Sequence, residues 1–220
     1  MYKRQLFSKW FGITDINGLE ILLPIHILWI NLVTDSLPAL ALAVDPAEKD
    51  IMERKPVKSK KGIFTKGMSW RIIYQGFMIG ILTLAAFIIG IATPDDKLPT
   101  MIDIDGKVYS IEEVENVDEA LANGATILDK GEVKVEIGQA MAFIVLALSE
   151  LVHVFNIRSE GSIFKIDLFS NKYLIGAFLL GAVLQISVVI IPQFASIFEV
   201  QNLSKEQWLY TACLLYTSDA

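Results

Sequence analysis

The chain has 220 residues, 53% of them hydrophobic, and a formal net charge of −6. Its apolar residues fall in near-continuous blocks of bilayer length, about 20 residues, which excludes a soluble helical domain as the frame. The negative charge comes largely from segment 94–136 and the densest basic run lies between two apolar blocks, which excludes nucleic acid as a partner; the single cysteine, Cys213, leaves no internal disulfide.

In chain order, residues 1–5 (MYKRQ) read as translated sequencing adapter, as do residues 213–220 (CLLYTSDA) on the opposite strand. Both are expected to be foreign, and the remainder a piece cut from a longer polypeptide. Residues 6–24 read as the end of a preceding helix and an external turn, followed by a first complete transmembrane helix over 25–44. Segment 45–68 holds Lys49, Arg54, Lys55, Lys58, Lys60, Lys61 and Lys66, and by the positive-inside rule it is cytoplasmic. A second helix over 69–93 returns outward and is stopped by TPDD.

In the external segment 94–136, acidic residues outnumber basic ones about three to one. MIDIDGKVYS, Met101–Ser110, alternates around Asp105-Gly106 and predicts a short hairpin. Ser110 with Glu113 predicts a capping box for a helix carrying Ile111, Val114, Val117 and Leu121. A third spanning helix covers 137–157 and a cytoplasmic loop 158–172. A fourth helix covers 173–191, an external loop 192–206, and a further helix starts over 207–212. The fold class is an all-α polytopic membrane bundle with a small external α/β loop.

Polar residues interrupt two of the spans. In the first, Asn31, Thr34 and Asp35 lie three and four residues apart, on one helical face. A carboxylate at that depth costs roughly 2.5–3.5 kcal/mol on insertion scales. All three offer hard oxygen donors, and Pro38 removes the N–H that would hold the Thr34 carbonyl. In the third span, Ser149, Glu150, His153 and Asn156 form a polar stripe with Glu150 at membrane depth. Two carboxylates on separate helices suit a divalent cation. Asn31, Thr34, Asp35 and Glu150 still supply only four or five oxygens against calcium's usual six to eight. The rest must come from water or from other helices. His26 and His153 read as packing or interface residues rather than as parts of a proton pathway.

WINLVTDSLPALAL followed by DPAEKDIMERKP closely resembles helix six and the next cytoplasmic loop of P-type calcium-transporting ATPases of sarco/endoplasmic reticulum type, bacterial-like members included. SELVHVFNIRS, Ser149–Ser159, resembles their helix eight. The resemblance implies that Asn31, Thr34, Asp35 and Glu150 are calcium ligands, with Asp35 shared between two sites. It also implies that Glu48, Asp50 and Glu53 lie in the loop that couples ion binding to phosphorylation. Ser36 stands where the family usually has glycine, which stiffens the segment, and Glu53 where it usually has aspartate.

No D-K-T-G-T motif occurs in the chain. The resemblance therefore places the phosphorylated aspartate and the ATP and Mg2+ sites upstream, in the same polypeptide, and makes this piece inactive alone. The expected function is ATP-driven export of Ca2+ from the cytoplasm, with the bilayer and the upstream chain as partners and a bacterial plasma membrane as location. The alternatives are a pump for manganese or a monovalent cation, an ATP-independent cation exchanger, and a membrane anchor whose acidic loop binds a partner.

Overall fold

The computed structural model describes residues 20–45, 66–98, 100–104, 107–111, 114, 116–157 and 171–219. Among them, four helices are long and apolar enough to cross a bilayer: Pro24–Ala43, Ser69–Ile91, Lys130–Phe155 and Lys172–Ile190. Apolar surroundings offer the backbone no hydrogen-bond partners, so each span must satisfy its own N–H and C=O groups, and a helix does so.

The first span is composite. Helix α1 (Pro24–Trp29) runs into a π-helical segment (Ile30–Asp35) and then α2 (Ser36–Ala43). Next come α3 (Lys66–Ile91), a 3-10 turn (Asp95–Lys97), strands β1 (Met101–Ile104) and β2 (Lys107–Ser110), α4 (Val117–Ala122) and β3 (Thr126–Ile127). Helices α5 (Lys130–Ile157), α6 (Lys172–Ile190), α7 (Pro192–Ile197) and α8 (Lys205–Asp219) complete the chain. Helix α8 runs unbroken across position 213, where the sequence reading draws its adapter boundary.

Helix α5 is the centre of the bundle. Of its apolar window 67% is buried, against 33%, 28% and 28% for the other three spans. It packs on α3, α6, α8 and the π segment. The α3–α5 crossing is close because Gly90 faces Gly138: a Cβ on Gly90 would lie 2.5 Å from the Gly138 Cα. Small residues that let backbones approach in this way are a common basis of helix packing in lipid. Leu82, Ala86, Ile137, Met141 and Val145 fill one side of α5, and Ile30, Phe143, Ile144, Ala147 and Val189 fill the other. Leu28, Leu32, Leu40, Phe77 and Val183 point outward, which lipid tolerates and water would not.

Helix α5 starts at Lys130 rather than at Ile137. The Asp129 side chain accepts from the Gly131 N–H (3.0 Å) and its carbonyl from Glu132 and Val133, so Asp129 caps a helix that begins before the apolar block. The acidic loop folds on this end of α5 as a three-stranded antiparallel sheet of order β2-β1-β3. Ile102 pairs with Tyr109 on one side and Ile127 on the other, and Met101 packs on Val133 and Ile137.

The hairpin forms as the alternation predicts, while Glu113, the expected capping partner of Ser110, lies outside the described residues. Ser110 is paired with Met101, and the Ile111 N–H donates to the Thr100 carbonyl (2.9 Å), so the sheet ladder takes these groups. The helix begins at Val117 and keeps only Val117 and Leu121 of the expected stripe. A reciprocal box does occur at Ser204 and Gln207, which cap the start of α8 with each other's backbone N–H groups at 2.7 and 3.3 Å.

Candidate cation site

The segment around Asp35 is neither a regular α-helix nor an unwound gap. Residues Ile30–Asp35 close i→i+5 turns, and the flanking Trp29 and Ser36 keep right-handed helical dihedrals. Such π segments are rare and concentrate at functional sites. Pro38, buried three residues beyond the segment, has no N–H for the carbonyls behind it. Helical geometry is kept while the hydrogen-bond register slips.

The wider turn divides the three polar residues. A π turn advances fewer degrees per residue than an α turn. A side chain four residues on therefore stays alongside the first, while one three residues on swings away. Asn31 and Asp35 accordingly share an exposed face, whereas Thr34 is 1% exposed and turned into the bundle. The single face expected from α-helical spacing is corrected to two by this change of helix period.

Glu150 on α5 meets the inward side. Thr34 Oγ1 donates to the Ile30 carbonyl at 2.7 Å and lies 3.3 Å from Glu150 Oε2. One hydroxyl hydrogen cannot serve both acceptors, and the shorter bond takes it. Glu150 therefore keeps lone pairs uncommitted by Thr34. Ser36 Oγ donates to the Asn31 carbonyl at 3.0 Å, a second hydroxyl-to-carbonyl link within the segment. Among the described residues, no side-chain hydrogen bond or ion pair is made by Asn31 or Asp35. The arrangement is a hydroxyl and a carboxylate meeting across two helices on the inward side, with an amide and a second carboxylate on the outer face of the same segment.

Around this group the bundle is tightly held. His26, fully buried, accepts the Leu23 N–H at Nδ1 (3.3 Å) and places Nε2 2.7 Å from the Phe198 carbonyl, so Nε2 carries the proton. Its ring stacks on Phe143 with centroids 4.5 Å apart. With both nitrogens engaged and an aromatic neighbour, His26 is a packing residue. Trp29 Nε1 donates to Gln185 Oε1 at 3.0 Å, tying the start of the π segment to α6. At the other end, Asn171 bonds the last turn of α2.

Sequence reasoning does not single out Trp29, Gln185 or Asn171 as supports. Only Asn171 carries a local signal, an asparagine directly before an apolar run, which reads as an N-cap. Glu48, Asp50 and Glu53 lie outside the described residues, and the side chain of Asn156 is likewise not described. No group of three or more His, Cys, Asp or Glu among the described residues is placed to hold a metal. A cavity of about 810 Å³ opens far along the bundle, between Thr93, Lys97, Glu206 and Tyr210, and includes none of the four candidate ligands.

Residues 19–218 match the family model described as "Cation transporting ATPase, C-terminus". The chain is 39% identical over 198 residues to calcium-transporting ATPase 1 of Bacillus cereus, covering 87% of this chain and 19% of that protein. It is 34% identical over 188 residues to a calcium-transporting ATPase of Bacillus subtilis (86% and 17%), and 31% over 221 residues to one of Plasmodium falciparum (93% and 18%). The chain thus spans about a fifth of the length of the curated relatives it matches.

Proposed function

The chain belongs to the C-terminal family of cation-transporting ATPases, and from that premise we propose that it is the ion-binding membrane portion of an ATP-driven pump exporting Ca2+ from the cytoplasm. It is a multi-pass membrane protein by its four apolar spans, and relatives from Bacillus favour a bacterial plasma membrane. The observation that carries the reading is the approach of Thr34, within the π segment, to Glu150 on α5, with Asp35 the next residue of that segment. A pair of carboxylates at membrane depth is costly unless a cation compensates it. Hard oxygens select for calcium or a close analogue over soft metals.

In this reading the ion loses water to Asn31, Thr34, Asp35 and Glu150, and the remaining oxygens come from water or from helices upstream. The open Asn31–Asp35 face is the side on which those helices would lie. Glu150 and Asp35 neutralise the charge; Thr34, its proton directed to the Ile30 carbonyl, presents only lone pairs to the ion. The basic loop ends of the spans face the cytoplasm, and Glu48, Asp50 and Glu53 pass the state of the ion site to a phosphorylation domain. ATP and Mg2+ act in that domain, so the fragment alone neither hydrolyses ATP nor completes a site.

The test is Asp35→Asn and Glu150→Gln in the complete polypeptide, with phosphorylation by ATP followed against free calcium. Asp35→Asn should abolish calcium-dependent phosphoenzyme and Glu150→Gln should shift its calcium dependence at least tenfold. Normal calcium-dependent phosphoenzyme in Asp35→Asn would sink the reading. Activation of wild type by manganese in place of calcium would reassign the ion and keep the site.

A further inference from the structure

One side chain outside the ion site joins two spans at the end where the basic loops begin. Asn171 is 2% exposed and precedes α6. Its Oδ1 accepts from the Leu174 N–H at 3.0 Å and so caps α6. Its Nδ2 donates to the Ala41 carbonyl at 2.9 Å and to Asp45 Oδ1 at 3.1 Å. The partners on the first span lie 126 and 130 positions away in sequence.

The two halves of this amide do different jobs. The acceptor half completes a helix start, which serine, threonine or aspartate does as well. The donor half satisfies one of the carbonyls that every helix leaves open in its last turn, here in α2. A second bond from the same nitrogen holds the carboxylate at the chain's exit from that helix. A cap alone needs only an acceptor, so the donor half is in excess of what α6 requires. Asp35 lies six residues before Ala41 on the same rigid run, with helical dihedrals throughout.

We propose that Asn171 is a positioning residue for the ion-bearing span: it fuses the end of α2 to the start of α6, so that movement of the Ile30–Asp35 segment displaces both helices together. Without the donor half, the last turn of α2 frays and absorbs that movement, and ion binding is less well converted into turnover. The inference rests on the pump reading above. Trp29–Gln185 links the same two spans one helix length away, so the pair is held at both ends of the segment.

The chemistry separates the two jobs by substitution. Asn171→Asp keeps an acceptor for Leu174 N–H but loses both donations, and it sets a carboxylate against Asp45. The double variant N171D/D45N puts the amide on the other side, where it donates back to residue 171. These variants, in the complete polypeptide, are compared by thermal melting, by amide hydrogen exchange at Leu42–Asp45, and by calcium-activated ATP turnover.

Asn171→Asp should melt below wild type because it sets a buried carboxylate against that of Asp45, exchange at least tenfold faster at Leu42–Asp45, and turn over about tenfold more slowly at temperatures well below melting. The calcium concentration for half-activation should move less than threefold. N171D/D45N restores the link between residues 45 and 171 but not the donation to Ala41, so it should recover part of both losses. Wild-type exchange and turnover in Asn171→Asp would overturn the proposal, as would a double variant no better than the single one. A turnover loss confined to temperatures at which the variant has begun to melt would make Asn171 a structural residue only and also overturn it. Asp35→Asn runs alongside: if it leaves calcium-dependent phosphoenzyme intact, the pump reading fails, while the exchange data still decide the tether.

Discussion

The α3–α5 seam and the Ile30–Asp35 segment lie in one bundle and solve opposite problems. The seam joins two regular helices through Gly90 and Gly138, and its buried hydroxyl, Thr83, returns to its own helix at the Ile79 carbonyl, 2.9 Å away. The segment also returns a threonine to its own helix, yet it leaves two carboxylates and an amide without a described cation. Close packing is what a helix pair in lipid gains most from, since burial from water supplies no drive there. The segment forgoes that gain to keep oxygens available. On the proposed function, the seam serves stability and the segment serves a ligand.

Mutations should separate the two. Phe143→Ala, which removes a fully buried ring stacked on His26, should cost about 3–5 kcal/mol in thermal or denaturant unfolding of the complete polypeptide. Calcium affinity of the surviving protein should hold. Gly138→Leu comes next at about 1–3 kcal/mol, since any Cβ there meets the Phe87 carbonyl at 2.9 Å. A normal melting profile in this variant would mean that the seam is looser than its geometry.

Thr34→Val reverses the pattern. It preserves shape and removes a hydroxyl already satisfied within its helix, so stability should change by less than about 1 kcal/mol. Calcium dependence of phosphorylation should move about tenfold, roughly 1.4 kcal/mol. Lost stability with unchanged calcium dependence would make the segment another packing element. Ser36→Gly removes the bond to the Asn31 carbonyl and restores the residue usual in the resembled family. A twofold to threefold change in calcium affinity is expected, with up to about 1 kcal/mol lost to glycine's freedom in a helix.

Glu206→Gln should do least. Lys97 and Glu206 pair at 2.7 Å, and that hydrogen bond and charge hold the Lys97 ammonium above its ordinary range. A raised lysine stabilises below its unfolded value and loses the contribution only as pH climbs through the raised one. Both side chains are exposed and screened, so melting at neutral pH should be unchanged in the variant. A measurable drop would show that the acidic end of the bundle is held by charge.

The sequence by itself determined the class of the molecule and singled out the residues of its proposed site. Apolar blocks of bilayer length force helices, because lipid gives backbone groups no other partner. Intramembrane Asn31, Thr34, Asp35 and Glu150 are legible because polar oxygens at that depth need a reason. The hairpin at Met101–Ser110 is legible from alternation and the Asp-Gly turn, since its pairing is local.

Periodicity assumes a fixed period, and the tertiary structure decided what that assumption hides. The slip to π register behind Pro38 turned Thr34 inward and left Asn31 and Asp35 outward, which no α-helical count gives. Ser110 closes a strand beside Met101, a pairing that the capping pattern in the sequence does not show. Asn171 reads locally as a cap, and only folding brings the Ala41 carbonyl and Asp45 to its other side. Local rules fix a residue's own helix; a partner more than a hundred residues away is set by how the helices pack.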